Sequence, residues 1–350
     1  MSLSPLDESG NPVDWWFLYK VPRLKTNTQT EAAVGFEYAY YDDPAEKVVK
    51  SPYLLSNDAG ALRQTLDQIF GSPSATTGWI LYNDETPDDV VSFNLGHTKG
   101  VIAFDLATDS AIWLLHSWPK YPSADQTARP SAMFGQTYLC LALSLDTARQ
   151  LATQMRSHQQ PQIYTPRLPT GLAVDDPLRL LAQSVDDDAP GDSNTIDLAT
   201  RNNWKFKVIA KNRNWNRDFW NDLVAPELQV SIDVETWIRG KNVIPPDIDP
   251  SGKYTVDDIK YITLEPLGLP WAWPETKDHA KWAISTTGNW VCVGDINRMI
   301  SQRQRGGCTI AFQDEALWQL LKQTDQLQVP EGWTKEKTIR AIHAAQVKPE

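Results

Sequence analysis

The stretch Gly96-His97-Thr98-Lys99-Gly100-Val101-Ile102-Ala103-Phe104-Asp105 places a His-x-Lys pair directly ahead of an apolar strand. After a polar turn the chain returns as Ile112-Trp113-Leu114-Leu115-His116-Ser117. A second stretch, Asp278-His279-Ala280-Lys281-Trp282-Ala283-Ile284-Ser285, repeats the arrangement and returns as Trp290-Val291-Cys292-Val293-Gly294-Asp295-Ile296-Asn297. From histidine to closing polar residue the first unit spans 19 positions (His97 to His116) and the second 18 (His279 to Asn297). Such a rhyme points to duplicated units related by a pseudo-twofold axis.

Working outward, Asp14–Lys20 reads as a buried strand closed by Pro22, and Val34–Tyr41 as another. Leu62, Leu66, Ile69 and Phe70 recur at helical spacing behind a Ser56-Asn57-Asp58 cap cluster. Strands are expected at Trp79–Asn83, Val90–Asn94, Gly100–Asp105, Ile112–His116 and Thr137–Leu143, and a helix carries Ala148, Leu151, Ala152 and Met155 on one face. Between Gln159 and Asn194, prolines and the run Asp186-Asp187-Asp188-Ala189-Pro190-Gly191-Asp192 indicate a linker or surface excursion. The pattern then restarts, with strands at Lys205–Ala210, Leu228–Val234, Trp282–Ser285, Trp290–Gly294 and Thr309–Phe312. Helices are expected near Asn216–Leu223 and Glu315–Lys322, with a short polar one at Thr334–Ala345. The division is a first half over 1–168, a linker over 169–194, a second half over 195–330 and a tail over 331–350. The fold class is α/β, with mixed sheets and helices outside them.

The 350 residues are 41% hydrophobic and 22% charged, enough apolar material for one large domain or two packed halves. No apolar run reaches the length of a membrane span, so no membrane partner is expected. Met1 to Val13 are polar and turn-like; no secretory leader is expected there and localisation is left open. Cys140, Cys292 and Cys308 are odd in number, lack metal-ligand spacing and sit in apolar runs, which favours buried free thiols. The formal charge of −11 opposes a nucleic-acid partner at neutral pH. That repulsion fades as the pH approaches the pI of about 5.0.

Two His-x-Lys pairs suit phosphodiester chemistry. Facing one another, they would give a phosphate two imidazoles and two fixed positive charges. One neutral imidazole can attack phosphorus while the other, protonated, donates to the leaving oxygen. Lys99, Lys281 and a donor such as Asn297 would hold the non-bridging oxygens. Walker-type glycine loops and metal-nuclease patterns such as His-Glu-x-x-His are absent from the sequence, so neither metal nor cofactor is expected. His116, behind three apolar residues, reads by itself as a buried histidine, and His158 and His343 as solvated ones. Arg298 is a candidate phosphate contact, whereas Glu235 and Arg239 read as an i,i+4 surface pair. Basic groups at Lys205, Lys207, Lys211 and Arg213 form either a DNA track or a charged strand edge.

The ordered series Trp79-Ile80-Leu81-Tyr82-Asn83-Asp84, Gly96-His97-Thr98-Lys99-Gly100, Trp113-Leu114-Leu115-His116-Ser117 and Gly135-Gln136-Thr137 resembles the deoxyribonuclease II family. So do Val224-Ala225-Pro226, Asp278-His279-Ala280-Lys281-Trp282-Ala283, Gly294-Asp295-Ile296-Asn297-Arg298 and Arg305-Gly306-Gly307. The match covers about Val13 to Phe312. The resemblance implies a phospholipase D-like fold of two α/β/α halves with paired His-Lys motifs across a pseudo-dyad. It also implies metal-independent, acid-favoured cleavage of DNA that leaves 3′-phosphates. By the same resemblance His97, Lys99, His279 and Lys281 match the catalytic motifs, His116 a required histidine and Asn297 a phosphate-binding position. Phe104 and Thr286 stand where phospholipase D itself has an aspartate, and Ala280 stands where family members usually carry serine. Cys140 has no N-terminal partner and Cys308 is shifted, so a lysosomal location does not carry over.

The reading is therefore an acid endodeoxyribonuclease acting on double-stranded DNA without sequence preference, through a phosphohistidine. A homodimer is compatible with it. The alternatives are a phosphodiesterase of the same superfamily acting on RNA or another diester, and an inactive DNA-binding scaffold.

Overall fold

The computed structural model describes residues 2–25, 31–42, 47–55, 59–128, 131–186, 190–238 and 242–327. In chain order the first sheet collects β1 (Trp15–Lys20), β2 (Tyr38–Asp42), β3 (Val49–Lys50), β4 (Thr77–Asn83), β5 (Lys99–Asp105), β6 (Ser110–His116), β7 (Gln136–Ser144) and β8 (Ile163–Arg167). The second collects β9 (Ser193–Ala199), β10 (Lys205–Lys211), β11 (Ile232–Thr236), β12 (Asp247–Ile248), β13 (Thr255–Asp258), β16 (Lys281–Ser285), β17 (Trp290–Gly294) and β18 (Gly307–Gln313). Between and after these, β14 (Tyr261–Thr263), β15 (Ala272–Pro274) and β19 (Asp325–Gln326) form a small third sheet. The strand orders are β3-β2-β1-β7-β6-β5-β4-β8 and β12-β13-β11-β16-β17-β18-β10-β9. Only the β11–β13 pair is parallel among the described strands. The run β1-β7-β6-β5-β4 in one sheet has the same order and directions as β10-β18-β17-β16-β11 in the other.

The strands read as unbroken apolar runs because both faces of each sheet are covered. On β1, Trp15, Phe17 and Tyr19 enter one core while Trp16 and Leu18 enter another, the two-residue period of a strand. Likewise Trp282 and Ile284 of β16 face the shared core, and Ala283 the opposite one. The shared core lies between the two sheets and includes α2 (Leu145–Gln154), α3 (Pro177–Gln183) and α5 (Glu315–Thr324). The outer faces are covered by α1 (Ala61–Phe70) on the first sheet and by a wide turn at Trp220–Val224 leading into α4 (Ala225–Leu228) on the second. Helices are thus not only outside. One layer of them sits between the sheets, because α2 packs on β5, β6 and β7 and also reaches β9. Ser144 and Asp314 cap α2 and α5 by accepting from Thr147 and Leu317 N–H.

Several boundaries moved. The stretch from Gln159 to Asn194 is no simple linker: it contains β8, paired with β4 and lying within the expected first half, and α3, whose Leu178 and Leu181 are fully buried. The strand expected at Val34–Tyr41 is confined to Tyr38–Asp42, and that at Leu228–Val234 begins at Ile232. Val90–Asn94 forms no strand; it is a loop with one bridge, Glu85 to Val91. The Ser56–Asp58 cap and the Thr334–Ala345 helix lie outside the described residues. Cys140, Cys292 and Cys308 are buried free thiols, and no described helix is long and apolar enough to cross a membrane.

Candidate active site

Each motif histidine stands two residues ahead of its strand, since β5 opens at Lys99 and β16 at Lys281. The N–H of His97 donates to the Gly306 carbonyl at 2.9 Å, and the N–H of His279 donates to the Gly135 carbonyl at 2.9 Å. Gly306 and Gly135 immediately precede β18 and β7, so each histidine is tied to the opposite sheet. Gly96 and Gly306 both close on the Gln159 carbonyl, and a Cβ at either would collide with it. That contact accounts for glycine at both positions.

The His97 seat is polar. Its Nδ1 lies 2.6 Å from the Asp295 carbonyl oxygen. A carbonyl only accepts, so Nδ1 carries the proton, and in the neutral ring Nε2 keeps its lone pair. Asp84 follows β4 and ion-pairs with the Lys99 ammonium. Its other oxygen is 3.3 Å from Arg305 Nη2 and 3.7 Å from His97 Nε2. Burial would raise the Asp84 carboxyl, but Lys99, His97 and Arg305 hold it well below the usual carboxylate range. Burial pushes the His97 imidazole well below its ordinary value, reinforced by Lys99, Lys281 and Arg305 and opposed by Asp84.

The His279 seat is aromatic. Phe134 stacks on the imidazole at 3.9 Å and 15°, and Trp237 lies 4.4 Å away at 51°. Strand register explains the contrast. Asn83 pairs with Lys99 and Thr236 with Lys281, so Asp84 and Trp237 occupy equivalent next positions. His116 pairs with Tyr138 and Gly294 with Thr309, which makes Phe134 the counterpart of Arg305. An ion pair on one side is replaced by two rings on the other. The loop ahead of His279 is clamped by Asp278, which accepts from Tyr19 Oη at 2.5 Å, Trp273 Nε1 at 2.6 Å and Ala280 N at 2.7 Å.

The motifs converge electrostatically. Burial and the nearby Lys99 lower the Lys281 ammonium to about 7, although Asp84, Asp278 and Asp295 pull the other way. Lys281 Nζ donates to the His279 carbonyl at 2.5 Å. Burial raises the Asp295 carboxyl to about 7 against the opposing pull of Lys99 and Lys281.

The remaining candidates divide. His116, at the end of β6, is buried and accepts at Nδ1 from Trp118 N–H at 3.1 Å. Burial, with Lys99, lowers it to about 3. Its register counterpart is Gly294 rather than Asn297, so the closing polar residues of the two units do not correspond. Asn297 is buried, its side-chain oxygen without a partner among the described residues. Arg298 does not reach outward. It is 0% exposed and bonded to Asp258 at 2.8 Å, Asp218 at 3.4 Å and the Pro245 carbonyl at 2.7 Å. Two buried carboxylates neutralise it and leave no donor face for phosphate. Glu235 is likewise no surface partner: it is 0% exposed on β11, and residue 239 lies outside the described residues. Burial pushes its carboxyl well up, with Asp278 and Glu275 adding to the effect. His158 is half-buried, 2.8 Å from Ser157 Oγ. Lys207 pairs with Asp197 of β9, which removes the strand edge expected at β10.

Asp84, Arg305, Asp295, Phe134 and Trp237 received no role from sequence. Asp84 and Arg305 stand inside motif stretches, and an acidic residue closing an apolar strand was the available signal. Phe134 and Trp237 carried none.

The family model for deoxyribonuclease II matches residues 4–329. A Burkholderia thailandensis relative named "Putative deoxyribonuclease-2" is 57% identical over 349 residues, covering 98% of this chain and 99% of its own. Deoxyribonuclease-2 of Caenorhabditis elegans is 33% identical over 346 residues, covering 89% and 90%. Deoxyribonuclease-2-alpha of Bos taurus is 28% identical over 330 residues, covering 92% and 88%. The chain belongs to the deoxyribonuclease II family.

Proposed function

We propose that this protein is an acid-favoured endodeoxyribonuclease that hydrolyses DNA phosphodiesters without a metal ion. His97, His279, Lys99 and Lys281 form one site. The observation that carries the proposal is the pair of reciprocal backbone bonds, His97 to Gly306 and His279 to Gly135, which seat both motifs across a single junction. The matching strand orders of the two sheets support a pseudo-twofold relation of two phospholipase D-like halves about that junction.

In the proposed reaction His97 Nε2 attacks phosphorus, a P–N bond forms and the bond from phosphorus to the 5′ oxygen breaks. Protonated His279 gives its proton to the departing oxygen. Water then attacks phosphorus with His279 as base. The P–N bond breaks, releasing a 3′-phosphate and restoring His97. Commitment of the His97 Nδ1 proton to a carbonyl supports the nucleophile assignment. Lys99 and Lys281 stabilise the non-bridging oxygens, with His116 and Asn297 lining the site. Supercoiled plasmid in excess EDTA at pH 5 and pH 7.5, followed by end-group analysis, tests the reading. Nicking in EDTA with 3′-phosphate ends is expected; activity restored only by added divalent metal would overturn it.

A further inference from the structure

Residues 85–96 join two residues of the site, Asp84 and His97. Their apolar run Val90-Val91-Ser92-Phe93 does not enter any core. Phe93 is 77% exposed, Val90 58% and Val91 44%. An apolar patch held in water beside a site calls for a partner. The loop is pinned along its length. Ser92 N–H donates to the Asp84 carbonyl at 2.9 Å, and the Val90 carbonyl accepts from Gln162 at 3.0 Å. Arg305 and Arg213 hold the carbonyls of Leu95 and Asn94 at 2.5 and 3.2 Å. Phe93 is therefore presented outward by a built frame.

Behind it lies a groove of about 500 Å³, bounded by Phe93 and Asn94 from one sheet's loops and by Arg213, Asn216, Ser301 and Gln304 from the other's. None of the described residues lining it is acidic, in a chain of 44 Asp and Glu against 33 Lys and Arg. Amides, a hydroxyl and a guanidinium are the donors that contact phosphate and sugar. Phe93 is four residues from His97, at most about 14 Å of chain.

We propose that this loop and groove form a DNA-contact surface. Phe93 inserts at a base step beside the scissile phosphate and unstacks it, and the groove takes the adjoining backbone. Aromatic side chains take any base face, which suits a nuclease without sequence preference. The inference depends on the site being a DNA nuclease, and the test separates the two.

Phe93→Ala, Phe93→Tyr and His97→Ala are compared with wild type on a duplex oligonucleotide and on bis(p-nitrophenyl) phosphate. Phe93→Ala is expected to lose about tenfold more kcat/KM on the duplex than on the small diester. Phe93→Tyr should recover most of that difference. Arg213→Gln should flatten the log–log salt dependence of duplex binding by about one unit. Equal losses on both substrates, or a duplex value within about twofold of wild type, overturn the inference. So does a switch from dimer to monomer in sedimentation with duplex kinetics retained, since the patch would then be a subunit contact. If His97→Ala still cleaves, the site assignment fails instead, whatever Phe93 does.

Discussion

His97 Nδ1 lies 2.6 Å from the Asp295 carbonyl oxygen, a bond between residues 198 positions apart. It fixes the tautomer of one motif histidine with a backbone group of the other unit. The two histidines differ: His97 is held by polar groups, whereas His279 packs against two rings.

Because nucleophile and general acid act as one unit, His97→Ala and His279→Ala should each cost at least about a thousandfold in turnover. The double variant should lose little more. Plasmid nicking under single-turnover conditions checks this. A tenth of the wild-type rate in either single variant would exclude the paired mechanism.

Activity should rise as the pH falls through about 7. Asp295 and Lys281 both titrate near 7 within one site. Protonating them removes one negative charge and adds one positive charge where phosphate must bind. On a small diester, which escapes long-range repulsion by the protein, the alkaline limb of log kcat/KM should fall more steeply than a single ionisation allows, because Asp295 and Lys281 add to the proton that His279 must carry. Asp295→Asn should make that slope shallower by about one; an unchanged slope would clear Asp295 of any part in the acid preference.

Arg298→Met should destabilise the fold by about 3–5 kcal/mol, because it leaves Asp218 buried without its cation and Asp258 with only Lys260, 3.6 Å away. Urea unfolding measures it. Near-wild-type stability with lost turnover would instead restore Arg298 to the phosphate.

Burial raises the Glu275 carboxyl to about 7. The folded state thus binds this proton more tightly than the unfolded chain. Its contribution to stability is full below the unfolded value of about 4.3 and is lost as the pH rises through 7. Glu275→Gln removes that dependence. Between pH 5 and 8 its stability relative to wild type should improve by roughly 2–3 kcal/mol. Parallel pH profiles in chemical denaturation would show that Glu275 is not the titrating group.

Much of the fold was readable in advance where the information was local. Apolar runs of strand length bounded by turn residues mark β1, β5, β6, β16 and β17, and the spacing of Ala148, Leu151 and Ala152 marks α2. The run Val90–Phe93 misled because composition cannot tell an apolar segment that is buried from one held in water by its frame. The acidic stretch near 169–194 hid α3 for a related reason: helix formation there depends on Leu178 and Leu181 meeting the core from α2.

By itself the sequence determined the two His-x-Lys pairs, the hairpins that carry them and the family. These are short-range patterns, set by strand geometry and by residue type at fixed spacing. Only the tertiary structure decided what surrounds them. Arg305 meets Asp84 across 221 positions, Phe134 covers His279, and Arg298 and Glu235 turn inward. The physical reason is that the charge state and contacts of a buried group depend on which distant segments exclude water from it. That is settled only when the two sheets close on their shared core.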